Sequence, residues 1–275
     1  MQYWATKNYQ PVVTSLTTSR TTCAAESKRF FSKRCLLLII ATLLLCSNSL
    51  FSFADSRLTP YHATYTTHFS GITADMEHSL KKLGNDQWLL RNYVSIMFMG
   101  FEEKARFVEH SGQLTPQTYQ YRNKLSSKRN STLTFNSDKS SVTDSTHSKT
   151  PLQLPAGALD KLSFQVQLRL DLMAQYLLDQ QEPFAEKTYH LVDRTQYKTY
   201  NVKYLGEETI ETPAGKFNTL KMERRRSGKD KHTLIWLAKD WDYFVLRIQR
   251  MKKGKSSYQV NLKHASINGK TIKGL

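Results

Sequence analysis

Residues 198–225 read KTYNVKYLGEETIETPAGKFNTLKMERR, and the runs flanking Thr212-Pro213-Ala214-Gly215 decide what kind of fold this is. Before the turn, Tyr200, Val202 and Tyr204 fall on one face of an extended chain. Downstream, Phe244, Leu246 and Ile248 share a face, and Tyr258, Val260 and Leu262 repeat the period of two. Alternation over four to eight residues, closed by Gly, Pro, Asn or Asp, marks half-buried antiparallel strands. Pro213 presets φ for the first central turn position, and Gly215 can take a positive φ where the chain rejoins the sheet. The turn has a folding role.

Working outward, residues 187–192, 198–205, 216–225, 233–237, 243–249 and 258–264 read as six strands joined by short links. Links this short fit antiparallel neighbours, because parallel strands need a crossover of about a dozen residues. Upstream, Tyr61, Ala63, Tyr65, Thr67 and Phe69 alternate, and 72–83, a run from Trp88 to Phe98, 102–109 and 114–125 continue the meander. Residues 126–150 are rich in Ser, Thr, Asn, Asp and Lys. They read as an exposed hairpin (131–135 with 141–146) or as a flexible loop. Between the two strand-rich halves, Leu159, Leu162, Val166, Leu170, Met173 and Leu177 recur every three or four residues, which predicts a helix over about 157–180. Asp160 falls in its first turn, where a carboxylate favours the helix dipole. The expected class is mainly β (α+β): a curved, largely antiparallel sheet or half-barrel with one long covering helix. Roughly a dozen strands are too many for a flat open sheet, which tends to curl.

The first 54 residues read as an address. Lys28, Arg29, Lys33 and Arg34 precede an apolar run of 12 residues, Cys35 to Cys46, and Ser52-Phe53-Ala54 supplies small residues at a cleavage site. A basic n-region, a short apolar core and an A-x-A-like site form the secretory pattern. The run is short for a bilayer of about 30 Å. Export to the periplasm with cleavage after Ala54 is the expectation; the alternative is an inner-membrane protein held by the uncleaved segment. A single β-rich domain, residues 55–275, would remain. Cys23, Cys35 and Cys46 all precede the cut, so that domain has no disulfide, thiolate metal site or cysteine nucleophile.

The full chain carries a formal net charge of +17, and the mature part keeps 34 basic against 22 acidic side chains, a net +12. Such a field concentrates anions at the surface. An exported protein meets little nucleic acid, so lipid or another anionic envelope component is the expected partner, with peripheral membrane contact. The competing reading is that Lys and Arg solubilise the outer faces of strands.

Glu211-Thr212-Pro213-Ala214-Gly215-Lys216-Phe217, followed by Asn218 to Glu223, resembles the bacterial exported family called domain of unknown function 3108. Its members typically show a TPAG-x-F turn before a strand. They then carry a Trp-bearing strand, here Thr233 to Leu237, and a closing pair like 243–250 and 257–264. Leu154-Pro155-Ala156-Gly157-Ala158-Leu159-Asp160 and the strand around Trp88 are similar too. The resemblance implies export to a Gram-negative periplasm. It also implies a curved antiparallel sheet akin in shape to the half-barrels of the LolA/LolB type, which carry lipoproteins. It implies no activity.

The eight histidines, His62 to His264, include no pair at i+2 or i+4, so local metal spacings are absent. No nucleophile elbow, phosphate loop or dinucleotide fingerprint occurs. The reading is therefore non-enzymatic, with no cofactor and no metal. Two candidate sites remain. Trp88, Tyr200, Val202, Tyr204, Leu220, Trp236, Leu246, Ile248, Val260 and Leu262 are the candidates to line a concave, mostly apolar cleft, or else to pack beneath the helix. Arg224, Arg226, Arg250, Lys252 and Lys253 are the candidates for an anion-binding rim. The expected function is to bind or chaperone an apolar or amphiphilic envelope ligand, lipid or lipoprotein-like. The alternative is an envelope-assembly factor that binds proteins and keeps its core closed.

Overall fold

The computed structural model describes residues 57–69, 72–84, 86–96, 99–178 and 183–275, which lie in the compact unit Ala54–Leu275. The expected export segment and its cleavage site fall outside the described residues. Eight strands come first: β1 (Tyr61–Phe69), β2 (Ile72–Gly84), β3 (Gln87–Ile96), β4 (Met99–His110), β5 (Gln113–Asn123), β6 (Ser131–Asn136), β7 (Ser141–Asp144) and β8 (Leu152–Gln153). The helix α1 (Ser163–Leu178) follows. Then come β9 (Lys187–Asp193), β10 (Gln196–Thr212), β11 (Gly215–Arg225), β12 (His232–Ala238), β13 (Phe244–Lys252), β14 (Lys255–Ile267) and β15 (Lys270–Thr271).

These strands form a single antiparallel sheet in the order β8-β7-β6-β5-β4-β3-β2-β1-β14-β13-β12-β11-β10-β9, with β15 beside β14. Every neighbour in that order is a neighbour in sequence except one. The first strand pairs with the last long one, Tyr61 opposite Ile267 and Thr67 opposite Val260. The meander would therefore close on itself but for one gap, between β8 and β9, where the chain inserts α1. The sheet is large and curved and is not closed into a barrel. An open strand edge invites pairing with other chains, and the segment before α1 partly covers this one. Leu159 lies parallel to β9, donating from N to His190 O at 2.9 Å and accepting from Val192 N at 2.8 Å.

That pairing moves the start of the helix. The apolar spacing predicts a helix from about residue 157, but it begins at Ser163 because Leu159 is spent on the sheet and Asp160 acts as the cap. The Asp160 carboxylate accepts from Leu162 N at 2.8 Å, Ser163 N at 2.9 Å and Ser163 Oγ at 2.5 Å, which satisfies donors that a helix start leaves without partners. Burial pushes Asp160 up to about 6, against the opposing pull of those Ser163 and Leu162 hydrogen bonds.

The first ten residues of α1 are buried on nearly every side. Phe164, Val166, Leu168, Leu170 and Leu172 belong to the same core as Trp88, Leu90, Phe107, Leu133, Phe244, Leu246 and Leu262 of the sheet. A helix buried on nearly every side lies in the interior, so the curved sheet wraps α1. Each such Leu or Phe contributes roughly 1.5–3 kcal/mol by leaving water. The buried polar residues of α1 tie it to both halves of the sheet. Gln167 accepts from Leu114 N at 2.8 Å and donates to Gly112 O at 2.9 Å, beside β5. Asp171 accepts from Tyr189 Oη of β9 at 2.5 Å and pairs with Lys187 at 2.7 Å. Arg169 donates to Asp242 O at 3.2 Å in the turn before β13. Beyond residue 173 the helix leaves the core, and Leu177 and Leu178 are exposed.

The TPAG turn is a two-residue link: Thr212 stands opposite Gly215, and Gly215 takes φ +129. The chain's end docks on it. Leu275 N donates to Lys216 O at 2.7 Å, and Trp241 Nε1 donates to Lys273 O at 3.3 Å. β10 runs seven residues past the segment that alternation marks, because a bulge between Tyr204 and Gly206 resets its register against β11.

Candidate functional site

Five strands contribute one lateral row of side chains. Val202 of β10 stands opposite Arg224 of β11, Arg224 opposite Thr233 of β12, Thr233 opposite Arg250 of β13, and Arg250 opposite Tyr258 of β14. Side chains in register across antiparallel neighbours share a face, here the face that wraps α1. Val202 is sealed in the core. The other four open into a cleft of about 1090 Å3 at the N-terminal end of the helix.

The cleft's walls have two characters. Tyr119 and Tyr121 of β5, Phe164 of α1, Leu191 of β9, Tyr200 of β10, Ile235 of β12, Ile248 of β13 and Tyr258 of β14 supply apolar and aromatic surface. Nine basic side chains against three acidic ones share the lining. Lys161 pairs with Asp193 at 2.7 Å, and Lys198 also pairs with Asp193. Burial alone would raise the Asp193 carboxyl, but the two lysines outweigh it and hold it at about 2. Glu103 accepts from Tyr119 Oη at 2.7 Å and from Asn92 Nδ2 at 3.2 Å.

Arg224 is the exception among these satisfied groups. Its Nε is sealed from solvent with no hydrogen-bond partner, although the residue as a whole keeps some exposed surface. One Nη reaches Thr233 Oγ1 at a long 3.5 Å. Its guanidinium lies 5.1 Å from the Phe164 ring centre and 5.0 Å from that of Tyr200, and it meets no carboxylate among the described residues. Burial lowers its pKa; Tyr200 opposes that shift, and Arg250 nearby adds a lesser lowering. Arg226, just past the end of β11, and Arg250 also line the cleft without an ion pair among the described residues. The turn residues Lys229 and Lys231, with Arg194 and Arg129, extend the basic wall.

The residues that alternation offers as cleft lining divide. Tyr200 and Ile248 line the cleft. Trp88, Val202, Leu246, Val260 and Leu262 are buried in the core, packed with α1. Tyr204 and Leu220 are half-buried against the core and lie away from the cleft. Trp236 sits one residue from the cleft-lining Ile235, hence on the opposite face. There its ring meets Lys221 at 5.2 Å and Arg247 at 5.6 Å, and its Nε1 donates to Glu208. Of the anticipated rim, Arg224, Arg226 and Arg250 line the cleft, whereas Lys252 and Lys253 are exposed in the β13–β14 turn outside it. Two of the ten apolar candidates and three of the five basic candidates thus face the same cleft. Tyr119, Tyr121, Phe164 and Tyr258 were missed. The only signal for them is their place on alternating or helical faces, which core residues share.

Residues 64–262 match the family model described as protein of unknown function, DUF3108. The chain belongs to this family. Its expected half-barrel class accords with a beta-barrel-like protein of domain of unknown function DUF1849 from Brucella abortus. That structure is similar at 12% identity and a TM-score of 0.50, covering 77% of this chain and 98% of the other. Looser likenesses extend to a DUF1329 family protein from Desulfovibrio piger (13% identity, TM-score 0.27, 78% and 87% covered). They also include a domain from Vibrio parahaemolyticus named for outer membrane lipoprotein sorting (11%, TM-score 0.28, 84% and 91% covered). No curated protein matches the chain. Among the described residues no helix is long and apolar enough to cross a membrane.

Proposed function

We propose that this DUF3108 protein is a non-enzymatic protein of the bacterial envelope whose cleft binds an amphiphilic ligand of the lipid class. One observation carries the reading: an open cleft of about 1090 Å3 lined by aromatic and aliphatic side chains interleaved with cations, several of which have no ion pair among the described residues. Small-molecule sites usually combine apolar walls with a few placed polar groups, and a lining of mixed apolar and cationic character suits an amphiphile. The secretory pattern of residues 1–54 and the family's exported character support an envelope location. Among the described residues no cluster of His, Cys, Asp or Glu is arranged to hold a metal, and the cleft carboxylates Asp193 and Glu103 are held in ion pairs and hydrogen bonds.

Native mass spectrometry of protein purified from its own envelope, followed by solvent extraction, tests this reading. A stoichiometric adduct that extracts as lipid is the expected result. A clean mass that takes up no added amphiphile would exclude it and leave the protein-binding assembly factor as the reading to pursue.

A further inference from the structure

Resting on the amphiphile reading, the next question is which chemical group the cleft recognises. We infer that the cleft grips its ligand by a phosphate group, held between Arg224 and Arg250 across Thr233. The three residues lie in register on adjacent strands β11, β12 and β13. Neighbouring strands are about 4.8 Å apart, so the two arginines rise from points roughly 10 Å apart with a hydroxyl between them. Two long guanidinium side chains can close on one tetrahedral oxyanion across that span.

Three further observations point to a missing anion. The Arg224 guanidinium makes no close hydrogen bond among the described residues: Nε has no acceptor and one Nη reaches Thr233 Oγ1 only at 3.5 Å, whereas buried donors are normally paired. Its planar group is already oriented by Phe164 and Tyr200, at 5.1 and 5.0 Å, so little freedom is lost when an oxygen arrives. Neither Arg224 nor Arg250 has a carboxylate partner among the described residues, while the nearby Lys161 and Lys198 share Asp193. Where the protein neutralises its cations it does so from inside the chain; at this row it leaves two cations open to the cleft. A carboxylate is served by one arginine fork. Two forks and a hydroxyl match the three oxygens and double charge of a phosphate monoester.

The phosphate could belong to a lipid headgroup or arrive free, and the test separates them. Binding of decyl phosphate and decyl maltoside, each below its micelle concentration, and of inorganic phosphate is measured calorimetrically on the wild-type protein and on R224M, R250M and the K252Q/K253Q control. The expected result is decyl phosphate binding at least tenfold tighter than decyl maltoside or inorganic phosphate. That preference should disappear in R224M and R250M and survive in the control. If decyl phosphate and decyl maltoside bind equally, and the arginine variants change neither, the phosphate site is overturned while the amphiphile reading stands. If inorganic phosphate binds as tightly as decyl phosphate and decyl maltoside not at all, the phosphate site holds with a free-phosphate source and the amphiphile reading falls. Binding of none overturns both. R250M alters an exposed side chain, so it reports on binding even if R224M proves poorly folded.

Discussion

Replacing Arg224 by Met should stabilise the ligand-free protein. The arginine's Nε is enclosed without an acceptor, and an unsatisfied buried donor costs roughly 1–3 kcal/mol. Desolvation of the guanidinium, which already lowers its pKa, adds to that, because a charge taken from water without a counterion is not repaid. Against this stand the ring contacts with Phe164 and Tyr200, worth about 0.5–1 kcal/mol each where part of the group is solvated. The stem's packing is kept by the Met side chain. The balance favours R224M by about 1–2 kcal/mol, and in a domain of this size each kcal/mol moves Tm by about 2–4 °C. Scanning calorimetry at pH 7 in phosphate-free buffer should place R224M about 2–8 °C above wild type. Addition of decyl phosphate should raise the wild-type Tm more than that of R224M, since a ligand stabilises the folded state in proportion to how tightly it binds. A Tm for R224M 2 °C or more below wild type would mean that the arginine is a structural element with partners of its own, and the argument for an open anion site would fail.

Stability between pH 5 and 6.5 should reflect two opposed groups. His78, with Tyr61 on one ring nitrogen at 2.6 Å and Asn92 on the other, is lowered by burial to about 4; its contribution is present above pH 6.5 and lost as pH falls toward 4. Asp160, raised to about 6, contributes fully below pH 3.8 and loses that contribution as pH rises through 6. D160N keeps a good cap residue and removes one side of this balance. Its Tm should therefore fall more steeply than that of wild type from pH 6.5 to 5, toward a limit of about 1.4 kcal/mol per pH unit; parallel profiles would contradict the assignment. For G274A, the added Cβ would lie 2.6 Å from both N and O of Lys216, so the chain's end must lift from the TPAG turn. The expected loss is about 1–2 kcal/mol by thermal melting, with faster hydrogen exchange at Leu275. Trp88 Nε1 is also enclosed without a partner, so W88F should cost no more than about 1 kcal/mol in denaturant unfolding while W88A costs about 3–5 kcal/mol. Equal losses in the two would show that the indole N–H has a partner.

Local pattern was enough for the strands, because the period of two is written wherever one face meets the core. Residues 187–192, 216–225 and 233–237 became β9, β11 and β12 almost residue for residue. The TPAG turn was equally legible, since Pro213 and Gly215 act through their own backbones, and the existence of the helix followed from its three-and-four spacing. Its start was not, because Leu159 pairs with a strand some thirty residues further on and Asp160 caps where it could have continued the helix. The length of β10 was hidden for a similar reason: the bulge at Gly206 lets Glu207, Glu208 and Thr209 pair without any apolar alternation.

Composition and periodicity by themselves determined that the chain is β-rich and basic, and which residues share a face. They could not say which stretch of that face the helix would cover, because Val202 and Arg224 present the same alternation to a reader of the sequence. The tertiary structure decided it. The first and last long strands pair across the whole chain and curl the sheet. α1, which follows β8 and precedes β9 in the chain, lies inside the curve, and its body seals Val202, Leu246 and Val260 into the core. It begins too late to cover Thr233 and Arg250, and those, with the part of Arg224 that Phe164 does not cover, are left facing an open cleft. Burial is a property of what lies opposite a residue, and only the closed chain supplies that.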